Sequence, residues 1–174
     1  MFRVSTTYCL TGGYAELNIF ISHISEEASI AEVFKDWIES TFLGQCDVFS
    51  SSDINNFTDR DKWIDEIDQT LNSAVAFLVL CSEASLKRPW IQLETGWGWI
   101  KGLPIIPICH SGQKKDDLPS PVSTFQALEI NSDGFVSDLF TTLAKHLGFA
   151  KFPRIDKDAM VHELTAAIGA MSES

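Results

Sequence analysis

Ala74-Val75-Ala76-Phe77-Leu78-Val79-Leu80-Cys81 is a run of eight residues that is apolar at every position. A strand with one face in water alternates apolar and polar side chains, whereas a strand covered on both faces is apolar throughout. The run therefore predicts a strand buried inside a parallel sheet, with other elements packed on both of its faces.

Strand-like and helix-like patterns alternate on both sides of this run. Predicted strands cover residues 17–21, 47–49, 103–109 and 125–130. Predicted helices carry apolar stripes at Ala31, Phe34, Ile38 and Phe42, at Ile64, Ile67 and Leu71, at Val136, Leu139, Phe140, Leu143 and Leu147, and at Val161, Leu164, Ile168 and Met171. This alternation predicts an α/β fold with right-handed crossovers and a five-stranded parallel sheet.

Several residues are placed to begin or end these elements. Ser25 is expected to cap the first helix, with Glu26 and Glu27 complementing its dipole. Gly44 is expected to stop that helix in a left-handed conformation. Pro107 has no N–H to donate to a strand ladder, so we expect it at a strand end or a bulge.

The composition limits the class of protein. Hydrophobic residues make up 45% of the 174 residues, which suffices for one substantial core. The formal net charge of −11 argues against binding to a phosphate backbone, so nucleic acid is not an expected partner. No signal peptide and no apolar stretch near eighteen residues is found, so we expect a cytoplasmic protein that does not enter a membrane.

The cysteines give no sign of a metal centre. Cys9, Cys46, Cys81 and Cys109 are far apart, form no CxxC pair and have no histidine at zinc-ligand spacing. We therefore expect reduced, mostly buried thiols and no metal site.

A candidate site lies where the predicted strands end, because ligands of open α/β sheets collect beyond the carboxyl ends of the strands. Trp90 and Glu94 are four residues apart on the helix that Pro89 begins, so they share one face, and Trp97 returns to it. Indoles beside a carboxylate suit a flat, cationic ligand. Gly96 and Gly98, on either side of Trp97, suggest close approach by another backbone.

The motifs in this order resemble those of a Toll/interleukin-receptor (TIR) domain. They are Phe20-Ile21-Ser22-His23, the loop after Val48-Phe49, Leu80-Cys81-Ser82, and Pro89-Trp90-Ile91-Gln92-Leu93-Glu94. The resemblance implies a flavodoxin-like sheet with helices on both faces. It divides the chain into an N-terminal extension (1–16), a TIR-like domain (17–148), and a linker with a C-terminal helix (149–174).

The resemblance also implies a reaction, since enzymatic TIR domains cleave NAD at the nicotinamide–ribose bond. Glu94 matches their catalytic glutamate, and the implied substrate-binding residues are Ser22, His23, Ser52, Asp53, Trp90 and Trp97. NAD is then the substrate and no cofactor is needed. The loop from 50 to 61 departs from the family because it has no glycine or proline. Ile24-Ser25 supply no positive charge for the diphosphate, which leaves the backbone N–H groups at the helix start.

The chemistry is consistent with a single carboxylate. Breaking the bond creates an oxocarbenium-like centre, which Glu94 would stabilise, and Trp90 or Trp97 would stack on a ring of the dinucleotide. Nicotinamide leaves as a neutral molecule, so no general acid is required. The products would be nicotinamide and ADP-ribose or a cyclic isomer. By resemblance, such a protein serves in bacterial antiviral defence, self-associates through TIR–TIR contacts, and acts alone or through a separate effector that responds to the product.

Other classes remain to be weighed. The chain has no GxGxxG, GxxxxGK[ST], HExxH or GxSxG motif, which weakens dehydrogenase, nucleotide-triphosphatase, zinc-protease and hydrolase interpretations. Ser22-His23 do not supply the paired acids of a phosphate-accepting receiver domain. Two alternatives stay open: a nucleoside ribosyltransferase-like enzyme that uses Glu94 on another leaving base, and a non-enzymatic TIR–TIR adaptor.

Overall fold

A computed structural model describes residues 17–51 and 68–172. The strands are β1 (Leu17–Ser22), β2 (Cys46–Ser50), β3 (Ala74–Cys81), β4 (Ile105–Cys109) and β5 (Leu128–Glu129). The helices are α1 (Ala28–Thr41), α2 (Glu83–Leu86), α3 (Pro89–Ile100), α4 (Phe135–Leu147) and α5 (Lys157–Ser172), and residues 68–73 are also helical. The expected N-terminal extension and most of the 50–61 loop lie outside the described residues.

The five strands form one parallel sheet, as predicted, and their order is β2-β1-β3-β4-β5. The register places Ile21 beside Ser50 and Cys81 beside Cys109. The residues that follow each pair therefore leave the sheet side by side at its carboxyl edge. The fold is the expected flavodoxin-like α/β arrangement.

Side chains alternate between the two faces of the sheet, and each face has its own hydrophobic core. Ile19, Ile21 and Leu78 belong to the core beneath α1, α4 and α5. Phe20 and Phe77 belong to the second core, which α3 covers through Ile91. β3 contributes to both cores, which explains why it is apolar at every position.

The C-terminal helix packs on the outside of the first core. Met160 and Leu164 of α5 are fully buried in that core. The Trp37 indole N–H of α1 donates to Glu163 of α5 at 2.8 Å. The linker before α5 stacks Phe149 on Phe42, with ring centroids 5.3 Å apart. α5 is thus a layer over α1.

Some local expectations are confirmed and others are corrected. Gly44 has the expected positive φ, at 66°, and Gly148, which follows α4, also has a positive φ, at 78°. Pro107, however, lies in the middle of β4, beside Val79. Its missing N–H points to the β5 side, and β5 pairs only with Ile108 and Cys109, so no ladder bond is lost there. β5 itself is two residues long, shorter than the predicted 125–130 strand.

The start of the first helix also differs from the expectation. Ser25 is not a side-chain cap but the first residue of a 3-10 turn, Ser25–Glu27, that leads into α1. Cys46, Cys81 and Cys109 are free and buried, as expected. Among the described residues, no helix is both long and apolar enough to cross a membrane.

Candidate functional site

Glu94 lies at the carboxyl edge of the sheet, on the face that α3 covers. Pro89 occupies the first turn of α3, where its missing N–H is not required. One turn further, Glu94 points inward and only 1% of it is exposed. A carboxylate is seldom buried this completely without partners, so its surroundings define a site.

Three side chains donate hydrogen bonds to the Glu94 carboxylate. The Ser22 hydroxyl at the end of β1 donates to Oε2. The Ser51 hydroxyl, just after β2, lies 3.3 Å from the same oxygen. The Trp90 side chain, one turn earlier on α3, also bonds to the carboxyl. The site therefore joins β1, β2 and α3 at one point.

The sheet register explains why the two serines meet there. Ile21 pairs with Ser50, so Ser22 and Ser51 follow as neighbours and share the face that carries Phe20. The His23 backbone N–H donates to Ser51 Oγ at 3.2 Å, which fixes this hydroxyl from the other side. His23 is itself buried, with Nδ1 2.7 Å from the carbonyl of Ile24.

Burial controls the acidity of Glu94. Desolvation raises the pKa of this carboxyl to about 7, against an ordinary value of 4.5, although Ser22, Trp90 and Ser51 each act to lower it. Among the described residues, no cation pairs with Glu94. The site thus holds a carboxylate that is costly to ionise and that has hydrogen-bond donors but no counter-charge in residues 17–51 and 68–172.

A second buried acid occupies the opposite face of the same edge. Glu27, fully buried, accepts a hydrogen bond from Ser82 Oγ at 2.6 Å and from the Ile24 N–H at 3.2 Å. His110 Nε2 lies 3.0 Å from Glu27 Oε1, within ion-pairing distance but without hydrogen-bond alignment. Burial raises the pKa of Glu27, but the contacts with His110 and Ser82 outweigh it and the pKa lies below 4.5.

Sequence reasoning missed this second cluster, which we call the Glu27 cluster (Glu27, Ser82 and His110). Ser82 follows β3 and His110 follows β4, and the pairing of Cys81 with Cys109 makes them neighbours. A polar residue directly after each buried strand is the signal that would have found both. Glu27 was expected only to complement a helix dipole. Its carboxylate instead accepts from the N–H of Ile24, the residue before the helix start whose N–H groups were considered for the diphosphate.

The two tryptophans of α3 have different environments. Trp90 contacts Glu94 as a hydrogen-bonding partner, a role that the sequence did not indicate. Trp97 is partly buried against the second core and lines a shallow groove with Leu93, Gly96 and Ile100. Stacking of either indole on a ligand stays a prediction, and Ser52 and Asp53 lie outside the described residues.

The glycines beside Trp97 are explained only in part. A Cβ at Gly98 would lie 3.3 Å from the Phe77 ring, so the close approach is to a side chain rather than to the expected backbone. A Cβ at Gly96 would meet nothing within 4 Å.

Comparison with known proteins agrees with this architecture. The family profile described as the TIR domain matches residues 19–144. The chain therefore belongs to the TIR domain family, which confirms the resemblance inferred from its motifs. A search of curated proteins finds no match.

Three solved structures illustrate the structural similarity. A Clostridium botulinum CMP N-glycosidase, BcmB, has 14% identity and a TM-score of 0.48, covering 72% of this chain and 98% of its own. A TIR-STING receptor from C. gigas, in complex with 2′,3′-cGAMP, has 14% identity and a TM-score of 0.48, covering 91% of this chain and 42% of its own. A Burkholderia pseudomallei putative pilus assembly-related protein has 14% identity and a TM-score of 0.46, covering 82% and 98%.

Proposed function

We propose that the protein cleaves the nicotinamide–ribose bond of NAD, with Glu94 as the catalytic carboxylate. The observation that carries the proposal is that Glu94 is 1% exposed and has hydrogen-bond donors but no cation among the described residues. A buried carboxylate without a counter-charge gains most from a positive charge that develops beside it. An oxocarbenium-like sugar carbon supplies such a charge only in the transition state, so the gain lowers the barrier.

The hydroxyls of Ser22 and Ser51 orient the carboxylate in this mechanism. Both contact Oε2, and the proposal therefore assigns to Oε1 the place beside the ribose carbon. Nicotinamide departs with the bonding electron pair as a neutral amide, so no group has to protonate it. Water at the ribose carbon then gives ADP-ribose, and a nitrogen of the adenine ring gives a cyclic isomer. TIR enzymes of this type serve in antiviral defence, and the same role is proposed here, with a separate effector responding to the product.

Substrate access requires a change at the sheet edge, because Glu94 is buried in this structure. We place the expected self-association on the outer side of α3, where Leu93 is 55% and Ile100 85% exposed. Gly96 leaves open backbone between them, and the one acid of α3, Glu94, points inward. A second copy with the same uncharged face is the proposed occupant, despite the net charge of −11.

The test is nicotinamide release from NAD, followed by chromatography over a series of protein concentrations. We expect Glu94→Gln, which keeps the size and removes the charge, to lose at least about 10²-fold in rate. The control is Glu83→Gln, which changes an exposed glutamate that pairs with Lys87 on the surface, and its rate should equal that of the unchanged protein.

Parallel reactions with a nucleoside monophosphate decide between the alternatives. Base release from that substrate but not from NAD would favour the nucleoside ribosyltransferase-like enzyme. No product that depends on Glu94, with either substrate and at every protein concentration, would overturn the enzyme and leave the TIR–TIR adaptor.

A further inference from the structure

The segment Ser22-His23-Ile24 connects the two buried acids of the sheet edge. Ser22 donates to Glu94, and the His23 N–H donates to the Ser51 hydroxyl that also contacts Glu94. The next N–H, of Ile24, donates to the carboxylate of Glu27. Three successive residues are therefore each held by a different contact, so the position of the first depends on the contact of the third.

The other oxygen of Glu27 attaches this segment to the two neighbouring strands. Its Oε1 contacts Ser82 at the end of β3 and His110 at the end of β4. Ser82 is in turn fixed, because its Oγ accepts from the Ser85 N–H at 3.1 Å and its N–H donates to Ser85 Oγ at 2.8 Å. The Glu27 cluster thus joins β1, β3 and β4, while Glu94 joins β1, β2 and α3.

We propose that Glu27 and His110 are positioning residues that hold the turn after β1 so that the Ser22 hydroxyl stays on the Glu94 carboxylate. This inference rests on the proposed function for its catalytic meaning, but the coupling between the two acids is a property of the fold. Both residues are buried, and the proposal gives neither of them a contact with the substrate. Each acts through the turn.

The coupling has a measurable consequence for the titration of Glu94. Within the part of the chain that the structure describes, the groups that face Glu94 are the hydroxyls of Ser22 from β1 and Ser51 after β2, and the indole of Trp90 on its own helix. The described titratable groups that face Glu27 are His110 and the Cys81 thiol, and the exposed Glu26–Arg88 pair flanks the turn. Loosening the turn weakens a hydrogen bond that favours the charged form of Glu94, so its pKa rises further.

The experiment measures the titration midpoint of Glu94 without any substrate. The free energy of unfolding is measured from pH 5 to 9 with and without Glu94→Gln, and the pH dependence of the difference gives the midpoint. The same measurement, with Glu or Gln at position 94, is repeated in proteins that also carry His110→Gln, Ser82→Ala or the matched control Glu39→Gln. Glu39 also accepts a backbone N–H, that of Val48 at 3.0 Å, but it lies near the far end of α1.

We expect the midpoint to move upward by about 1 pH unit in His110→Gln and in Ser82→Ala, because each change weakens the hydrogen bond that Ser22 donates to the charged carboxylate. Glu39→Gln should leave it in place. Ser82→Thr keeps the hydroxyl, so the titration midpoint of Glu94 should stay at its value in the unchanged protein. That result would show that the shift in Ser82→Ala comes from the lost hydroxyl and not from altered packing. Ser82→Ala removes only one hydroxyl, so it remains informative if the loss of His110 prevents folding.

The acid limb of kcat/KM for nicotinamide release should move in the same direction. A shifted midpoint without any nicotinamide release would overturn the proposed function and keep the positioning role. Glu94-dependent release with an unshifted midpoint in folded His110→Gln and Ser82→Ala would overturn the positioning role alone.

Discussion

Replacing Glu94 with Gln should make the protein more stable at pH 8 while it removes activity. Burial raises the pKa of Glu94 from 4.5 in the unfolded chain to about 7 in the folded protein. The folded state therefore prefers the protonated acid, and ionising it costs stability as the pH rises. Each pKa unit corresponds to about 1.4 kcal/mol, so the full cost is about 3 kcal/mol.

The pH window follows from the sign of this shift. A raised pKa gives a contribution to stability that is complete below pH 4.5 and is lost as the pH rises through about 7. Gln resembles the protonated acid and does not titrate. The stability of Glu94→Gln relative to the unchanged protein should thus rise between pH 5 and pH 8 and level off above it.

Urea unfolding of both proteins at pH 5, 6, 7 and 8 measures this difference, since titrations common to both proteins cancel. Activity should follow the opposite course, because only the ionised carboxylate stabilises a cation, so kcat/KM should rise through pH 7. A stability difference that stays flat across this range would refute the reasoning, because it would mean that the carboxylate ionises as easily in the fold as in water.

Three further predictions concern other parts of the molecule. Gly96→Ala should raise the free energy of unfolding by about 1 kcal/mol, because the new Cβ meets open space. Gly98→Ala should gain less stability or lose some, because its Cβ would lie 3.3 Å from the buried Phe77 ring. Thermal unfolding of both variants measures the difference. Ile100→Lys should weaken concentration-dependent self-association in sedimentation experiments, and Leu43→Lys, at a side chain that is also exposed, should not. Glu27→Gln should be less stable than the unchanged protein at pH 7, and this deficit should shrink below pH 4.5, where the Glu27 carboxylate becomes protonated, because the pKa of Glu27 lies below its ordinary value.

The sheet was predictable because its signals are local. The apolar run from Ala74 to Cys81 and the helix start at Pro89 each depend on a few neighbouring residues, and both are confirmed. Pro107 was placed wrongly, because a proline can lie inside β4 only if the neighbouring strand β5 begins beyond it. The local sequence around Pro107 does not show where β5 begins.

For the site, the sequence predicted which helix and strand ends carry the residues but not which side chains contact one another. Glu94 could be placed on the helix after β3, but its contact with Ser51 requires the register of β1 against β2. The Glu27 cluster requires two non-local features. The register of β3 against β4 makes Ser82 and His110 neighbours, and the turn after β1 brings Glu27 to them. A glutamate at a helix start has the same local pattern whether it is exposed or buried, so Glu27 was assigned the commoner role.

The layer that α5 forms over α1 affects how the chain can be shortened. Ending the chain before Lys157 would uncover the hydrophobic surface that Met160 and Leu164 cover and would remove the acceptor of the Trp37 indole. A shortened domain would then expose a hydrophobic surface on the face of the sheet opposite to α3. Aggregation of such a fragment would reflect that exposed layer rather than the self-association proposed for the whole chain.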